Sequence, residues 1–457
     1  ADVSSYVAEG SALDREAYKR GNSVYFPDRV VPMLPEKLSN DLCSLKNDVD
    51  RPALVCRLIV EQDGRVARHQ FLRAMIKVTR GLSYEQAQAW ITAIDAGDGT
   101  KTDQGVPQDF MDLLQCYRRL DEARARRAPL EIDVPEHKIQ LDDAGYVGTI
   151  DLRERFEAHK LVEECMIQAN VAAGRSLEKH KQLGLYRTHE APPKDRVLNL
   201  KTSFETMGLS LALGNRITPE QFNRALARVE DGPHARTVSE MILRTQTQAY
   251  YSTDNVGHFG LALDCYAHFT SPIRRYADLV VHRALIGALS LGPDGLSLEG
   301  AQKLDQVAEH ISKTERVAMA AERDSVARYI AAHMSERIGA TFAATISGVA
   351  RAGLFVQLND NGAEGFIPIR QIGRDYYVHD QETMTLRGEA TGLTFRLGHD
   401  VVVRLEEAVP LQGGLRFSLK IPVEPPFGGR GRRGRGPDQT KHRQKKHKGS
   451  PKSRQKK

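Results

Sequence analysis

Residues 268–283 read "HFTSPIRRYADLVVHR". Ser271 suits an N-cap and Pro272 suits a first helical position, so the local pattern predicts a helix from there. Ile273, Tyr276, Ala277, Val280 and Ala284 recur at helical spacing and would face a core. Arg274, Asp278 and His282 fall on an adjacent face. Two cations thus stand in the first turn, where the helix macrodipole is already positive. Two readings account for them. One is an ion pair between Arg274 and Asp278, worth roughly a few tenths of a kcal/mol and in the less favourable orientation. The other is an anion site, with free N–H groups and both guanidinium groups converging on a phosphate.

Around that stretch, the chain of 457 residues has room for two or three domains. It is 40% apolar and 27% charged, as expected of a soluble globular protein. No apolar run is long enough to span a bilayer, which excludes a helical membrane class. The start, "ADVSSYVAEG", lacks the basic and apolar blocks of a secretory signal, and it lacks Met, as a processed chain or a fragment would. The cysteines Cys43, Cys56, Cys116, Cys165 and Cys265 are odd in number and form no C-x-x-C pair. This argues against a disulfide framework or a zinc site, and for reduced thiols in the cytoplasm. Charge is uneven. Residues 421–457 hold 13 Lys and Arg against Glu424 and Asp438, a net of +11. Subtracting that from the overall +6 leaves −5 for the rest. A basic tail on an acidic body points to a polyanionic partner, with nucleic acid the leading class.

Three regions follow from the patterning. Residues 1–335 mix strands and helices. "RPALVCRLIVEQDGRVARHQFLRAMI" reads as two strands turning at Asp63-Gly64, and "KIQLDDAGYVGTIDL" as two strands turning at Asp142–Gly145. "FEAHKLVEECMIQANVAAGRSLEKH" reads as a helix with Leu161, Val162, Cys165, Met166, Ala169 and Ala173 on one side. Residues 301–334 read as a long, charge-laced helix. Residues 339–420 alternate apolar and polar residues in short runs cut by glycines, the pattern of a small barrel. Residues 421–457 are low in complexity and are expected to be disordered. The fold class is therefore α+β followed by an all-β barrel.

Several segments carry a resemblance. "YAHFTSPIRRYADLVVHR" resembles the signature of the RNB family of exoribonucleases, typified by ribonucleases II and R. "AHKLVEECMIQAN" is similar to its core helix, "GHFGLAL" precedes the arginine motif, and "AMAAERD" falls in a later helix. Residues 1–45 look like its central sheet region. "SVYFP" and the basic tail look more like the ribonuclease R branch. "ARAGLFVQL" in the barrel resembles the S1 RNA-binding domain, an OB-fold.

The resemblance implies a processive, Mg²⁺-dependent hydrolase that shortens RNA from its 3′ end and releases nucleoside 5′-monophosphates. It implies a mixed sheet with packed helices for the RNB region. It places Arg274 on the scissile phosphate as the catalytic cation, with Ser271 and Arg275 beside it on the RNA. Tyr25 would stack on the terminal nucleotide. Tyr84, Glu163 and Glu322 would line the RNA path, and Phe355 would stack on a base in the barrel, with Tyr376 and Tyr377 as further candidates. Without the family, each is an ordinary packed ring or solvated helix charge, and Phe355 could belong to the barrel core. One departure is "PLEIDVPE", where Glu131 or Ile132 stands in place of an expected aromatic. A larger one is the metal. The family's aspartates belong just before "ADVS", so the chain resembles a member truncated at its N-terminus that binds RNA without degrading it. Asp142-Asp143 and Glu163-Glu164 are poor substitutes, the first serving a turn and the second pointing in different directions, so no metal ligand is assigned. A rival reading is an RNA-binding protein that keeps the scaffold without its metal site. A third is a chain acting on ribosomes or structured RNA through its barrel and tail. Single-stranded 3′ ends are the expected partner, in the cytoplasm.

Overall fold

Asp50–Val60 and Val66–Lys77 form a long antiparallel ribbon, as their β-branched and aliphatic residues favour. The turn closes where expected, with Glu61 N–H donating to the Arg65 carbonyl. Gly64 has φ of 77°, and a Cβ there would lie 2.0 Å from the Arg119 carbonyl oxygen. Only glycine meets both demands. The computed structural model describes residues 1–97, 105–132, 137–152, 154–229, 232, 235–381 and 383–421. The predicted basic tail lies outside the described residues apart from Ile421.

The strands of the first region pair in twos among the described residues. Val24–Tyr25 meets Val30–Val31, His137–Leu141 meets Val147–Leu152, and Tyr186–Thr188 meets Tyr250–Ser252. Helices cover them. The helix Glu157–Lys179 matches the predicted periodicity. Its buried side holds Leu161, Ala169 and Ala173, whereas Val162 is 37% exposed and is not part of that face. The core centres on Phe71 from the ribbon, Leu177, Phe269, and Leu279, Val281 and Leu285 from the helix Tyr276–Ala288. Phe71 and Phe269 meet edge to face at 5.0 Å. Three helices, Lys194–Thr206, Pro219–Ala227 and Ala235–Thr245, form a satellite core around Phe204 and Phe222. All five cysteines are free. Among the described residues, no helix is long and apolar enough to cross a membrane.

The helix Leu304–Ser335 has 32 residues and is about 48 Å long. Leu304, Ala308 and Ile311 pack into the first core. Ile330, Ala331 and Met334 pack into the core of the barrel. One element thus belongs to both regions, which lie within one compact unit, Ala1–Val423. The barrel is closed by Thr341–Ala350, Gly353–Leu358, Glu364–Pro368, Asp400–Val409 and Gly414–Ile421. Its single parallel contact joins the third and last of these strands, and the other pairings are antiparallel. This is the OB-type arrangement. An unanticipated three-stranded sheet, Tyr377–Asp380, Thr385–Gly388 and Thr394–Arg396, is inserted between the third and fourth strands.

Candidate nucleic-acid interface

The arginine motif does not start its helix at Ser271. Residues 272–274 form a turn, and the helix begins at Tyr276 with Arg275 as N-cap in an extended conformation, φ −135° and ψ 125°. The cause lies far away in sequence. Arg275 bridges Asn22, flanked by hydrogen bonds from Ser23 N–H to the Arg274 carbonyl (3.0 Å) and from Tyr276 N–H to the Gly21 carbonyl (2.9 Å). That pairing requires β geometry at Arg275, so the helix begins only at Tyr276, four residues after Pro272.

The charges are also divided differently from the expected convergence. Asp278 is fully buried and pairs with Arg275, not Arg274. The Arg275 Nε and Nη2 donate to its two carboxylate oxygens at 2.7 and 2.8 Å. Burial opposes the charge on Arg275, but the adjacent Asp278 carboxylate outweighs it and holds the guanidinium above its ordinary pKa. The Ser271 N–H also donates to Asp278, at 2.7 Å. Arg275 is therefore engaged inside the protein. Arg274 is exposed, and no side chain among the described residues pairs with its guanidinium. The anion grip offered to solvent is one arginine, not two. His282, expected beside Arg274, is buried, its Nε2 bonded to the Phe269 carbonyl at 2.8 Å. Burial pushes its imidazole down to about 4.

The paired backbone brings Tyr25 into place. It lies two residues beyond Ser23 and is 46% exposed. Its N–H donates to the Glu322 Oε1 at 2.7 Å. Tyr25 and Arg274 are thus brought together by main-chain bonds, and Glu322 joins them through its own carboxylate on the Tyr25 N–H. Behind the turn, Asn170 fixes the approach to the motif. Its side-chain oxygen accepts from Phe269 N–H and its amide donates to the Tyr266 hydroxyl. His268 is partly buried and bonded to the Tyr251 hydroxyl, and desolvation, reinforced by Arg275 and Arg187, pushes it well below its ordinary pKa. Arg187 is paired with Glu315 at 2.6 Å. Asn170 escaped the sequence reading, because a buried polar residue inside an apolar repeat gives no periodic signal, and Asp278 was read with Arg274 whereas its partner is Arg275.

Tyr84 and Glu163 form a second group. Tyr84 opens the helix Tyr84–Asp95 behind a capping box of Ser83 and Gln86. Its ring stacks on His159 with centroids 3.9 Å apart and planes 15° apart. One turn beyond His159 on the helix Glu157–Lys179, Glu163 pairs with Arg155 at 2.7 Å, both side chains about half exposed. His159 was not singled out from sequence, although it stands four residues before Glu163 on the same helix face. Ile132 packs against the satellite core around Phe204, while Glu131 is exposed and paired with Arg124.

On the barrel, Phe355 is 49% exposed, while Leu354 and Val356 beside it are fully buried. Phe355 therefore lies outside the barrel core. Its cross-strand partner is Phe366, with ring centroids 5.1 Å apart. Gly348 leaves room for the ring, since a Cβ there would come within 3.0 Å of it. Tyr376 is 71% exposed. Tyr377 is buried against Phe395 and offers no ring face to solvent, contrary to its candidacy.

A metal does not fit these side chains. Among the described residues no three His, Cys, Asp or Glu come together in a way that could hold an ion. Asp142 caps its own turn, accepting from Ala144 and Tyr146 N–H. Glu164 is buried beside Gln168, and burial raises its carboxyl above the usual range, favouring the neutral form.

Comparison with known proteins agrees with this layout. The family model described as RNB domain matches residues 1–291, and that described as S1 RNA binding domain matches residues 336–408. Ribonuclease R of Escherichia coli is 39% identical over 92% of this chain and 52% of its own length. The chain thus spans about half the length of that curated relative. RNase R of Mycoplasma genitalium, solved in complex with ribose methylated single-stranded RNA, matches with a TM-score of 0.86 and 28% identity, over 92% of this chain and 66% of that one. The same enzyme in complex with double-stranded RNA matches with a TM-score of 0.77 and 26% identity, over 92% of this chain and 69% of that one.

Proposed function

The chain belongs to the RNB family and is ribonuclease R-like, and from that premise we propose that it is the RNA-gripping portion of a 3′→5′ exoribonuclease. The observation that carries the proposal is the assembly of exposed Arg274 and exposed Tyr25 on paired backbone segments, with Glu322 fixing the second. In this reading the Tyr25 ring stacks on the 3′-terminal base, and Arg274 bonds the phosphate that joins it to the next nucleotide. The cation also stabilises charge that develops on that phosphate during hydrolysis. Water adds to phosphorus, the 3′ oxygen of the shortened RNA leaves with a proton, and a nucleoside 5′-monophosphate is released. Tyr84 and Glu163 contact the chain further along its path, and Phe355 stacks on a base at the barrel.

Mg²⁺ is the metal that the resemblance implies. The described side chains do not fit it, so they are assigned no step through it. That same observation favours a second reading, in which residues 1–457 bind RNA without cleaving it. We divide the chain for this purpose into an RNB region at 1–335, an S1 region at 339–420 and a basic tail at 421–457. The tail would add sequence-independent affinity for structured RNA or ribosomes in the cytoplasm.

The test uses single-stranded RNA labelled at its 3′ end. The expected result is saturable, salt-sensitive binding with no release of labelled mononucleotide in Mg²⁺. Release by this chain would overturn the reading that it binds RNA without cleaving it. Unchanged binding by both Arg274→Ala and Tyr25→Ala would overturn the proposed grip.

A further inference from the structure

We infer that Asp278 is the positioning residue for Arg274, a role that rests on the RNA-gripping reading of Arg274. Its carboxylate takes both ends of the turn that presents that arginine. At the near end it accepts the Ser271 N–H, and at the far end it accepts Nε and Nη2 of Arg275. Between them, the Ser271 carbonyl accepts from both Arg274 and Arg275 N–H at 3.2 and 3.1 Å. The turn is closed on itself with only the Arg274 side chain facing outward.

Asp278 also sets where the turn sits. It is fully buried at the start of the helix Tyr276–Ala288, whose neighbouring residues Ala277 and Leu279 lie in the main core. The carboxylate is therefore anchored in the main core. Through Arg275 it holds the segment that bridges Asn22, two residues from Val24 and three from Tyr25. The separation between the cation and the aromatic ring follows from this anchor. Arg275 contributes as the other half of the clamp. Its rigid fork matches the carboxylate at two points, which a lysine cannot do.

Asparagine at position 278 keeps the size of the side chain but loses the charge and one acceptor. The turn is then untied at Arg275, and Arg274 samples orientations that miss the phosphate. The experiment measures equilibrium binding of the full chain to a labelled single-stranded oligoribonucleotide over a range of salt. Arg274→Ala, Asp278→Asn and the double variant are compared with the parent. Each single variant is expected to bind about tenfold more weakly. The double variant is expected within about twofold of the weaker single one. The slope of log affinity against log salt should fall by about one in all three, because the same phosphate contact is lost. A merely structural aspartate would lower the unfolding midpoint without copying that change in slope.

Wild-type affinity and slope in Asp278→Asn, beside a weakened Arg274→Ala, would overturn the positioning role and leave the RNA grip standing. Losses that multiply in the double variant would do the same. No effect of Arg274→Ala would overturn the grip, and the positioning role with it. Where Asp278→Asn does not fold, Arg275→Lys asks the same question. It keeps the charge, lacks the fork, and should show the same non-additivity with Arg274→Ala at a smaller fold-change. Full additivity there would overturn the inference.

Discussion

The turn carrying Arg274 and the barrel face carrying Phe355 present their groups by opposite means. Behind Arg274 lie buried ions. Asp278 holds Arg275, and further along the same helix Arg283, 2% exposed, donates to Asp14 at 2.8 Å. Behind Phe355 lies an apolar barrel interior, with Leu354, Val356 and Ile367 fully buried. Buried charges are costly to desolvate and very costly to leave unpaired. An apolar pleat has no such dependence on one partner. Disturbing the turn should therefore cost folding as well as binding, whereas trimming the barrel's ring should cost binding alone.

The largest expected effect breaks an ion pair on the first side. Arg283→Ala leaves Asp14 buried without its cation and should destabilise the chain by roughly 3–5 kcal/mol, read from denaturant midpoints. Loss below about 1 kcal/mol would mean that the buried charges are not what holds that side together.

Next comes acid. His282 lies on the helix of Asp278, and burial holds its folded pKa at about 4, below the ordinary 6.5. The unfolded chain therefore takes the proton first. Its contribution to stability is complete above about pH 6.5 and is lost as pH falls toward 4, at roughly 1.4 kcal/mol per pH unit. His258 is pushed down to about 3, again mainly by burial, and acts in the same direction. Urea unfolding at pH 7, 6 and 5 should show falling stability. A flat profile would contradict neutral histidines in that core.

On the barrel, Phe355→Ala should weaken RNA binding by about 1–3 kcal/mol with the salt slope and unfolding midpoint unchanged. Arg274→Ala should reduce the salt slope by about one. Matching slopes in the two variants would erase the distinction between the two surfaces. The smallest effect is Arg155→Ala, at the half-exposed pair with Glu163. It should alter stability by at most about 1 kcal/mol, in contrast to the buried pair.

The local part of this comparison was legible in the sequence. The Asp63-Gly64 turn, the helix Glu157–Lys179 and the glycine-cut strands of the barrel each depend on neighbours in the chain, and each formed as read except that Val162 lies off the helix's buried face. The Arg275–Asp278 clamp was not legible. Capping rules favour Ser271, and i,i+4 spacing favours Arg274 with Asp278. Both preferences are weak, and the backbone pairing with residues 21–23 overrides them. The alternation at Tyr376 and Tyr377 was missed for a different reason. Tyr377 opens a strand and Tyr376 lies just before it, and sequence alone did not reveal which ring faced inward. Glu322 was placed on the right helix, but its bond to a main-chain N–H of Tyr25 could be found only once the two were brought together.

The helix Leu304–Ser335 gives the two surfaces a fixed phase. Glu322 engages Tyr25 partway along it, and Ile330 enters the barrel core eight residues later. One residue inserted between those points would turn the barrel face by about 100° about the helix axis and advance it by about 1.5 Å. Seven inserted residues would bring it back to within about 20° of its original heading, displaced by roughly 10 Å. Relatives that vary in length here should do so in multiples that restore the heading, because angle is harder to recover than distance for a strand threading both surfaces.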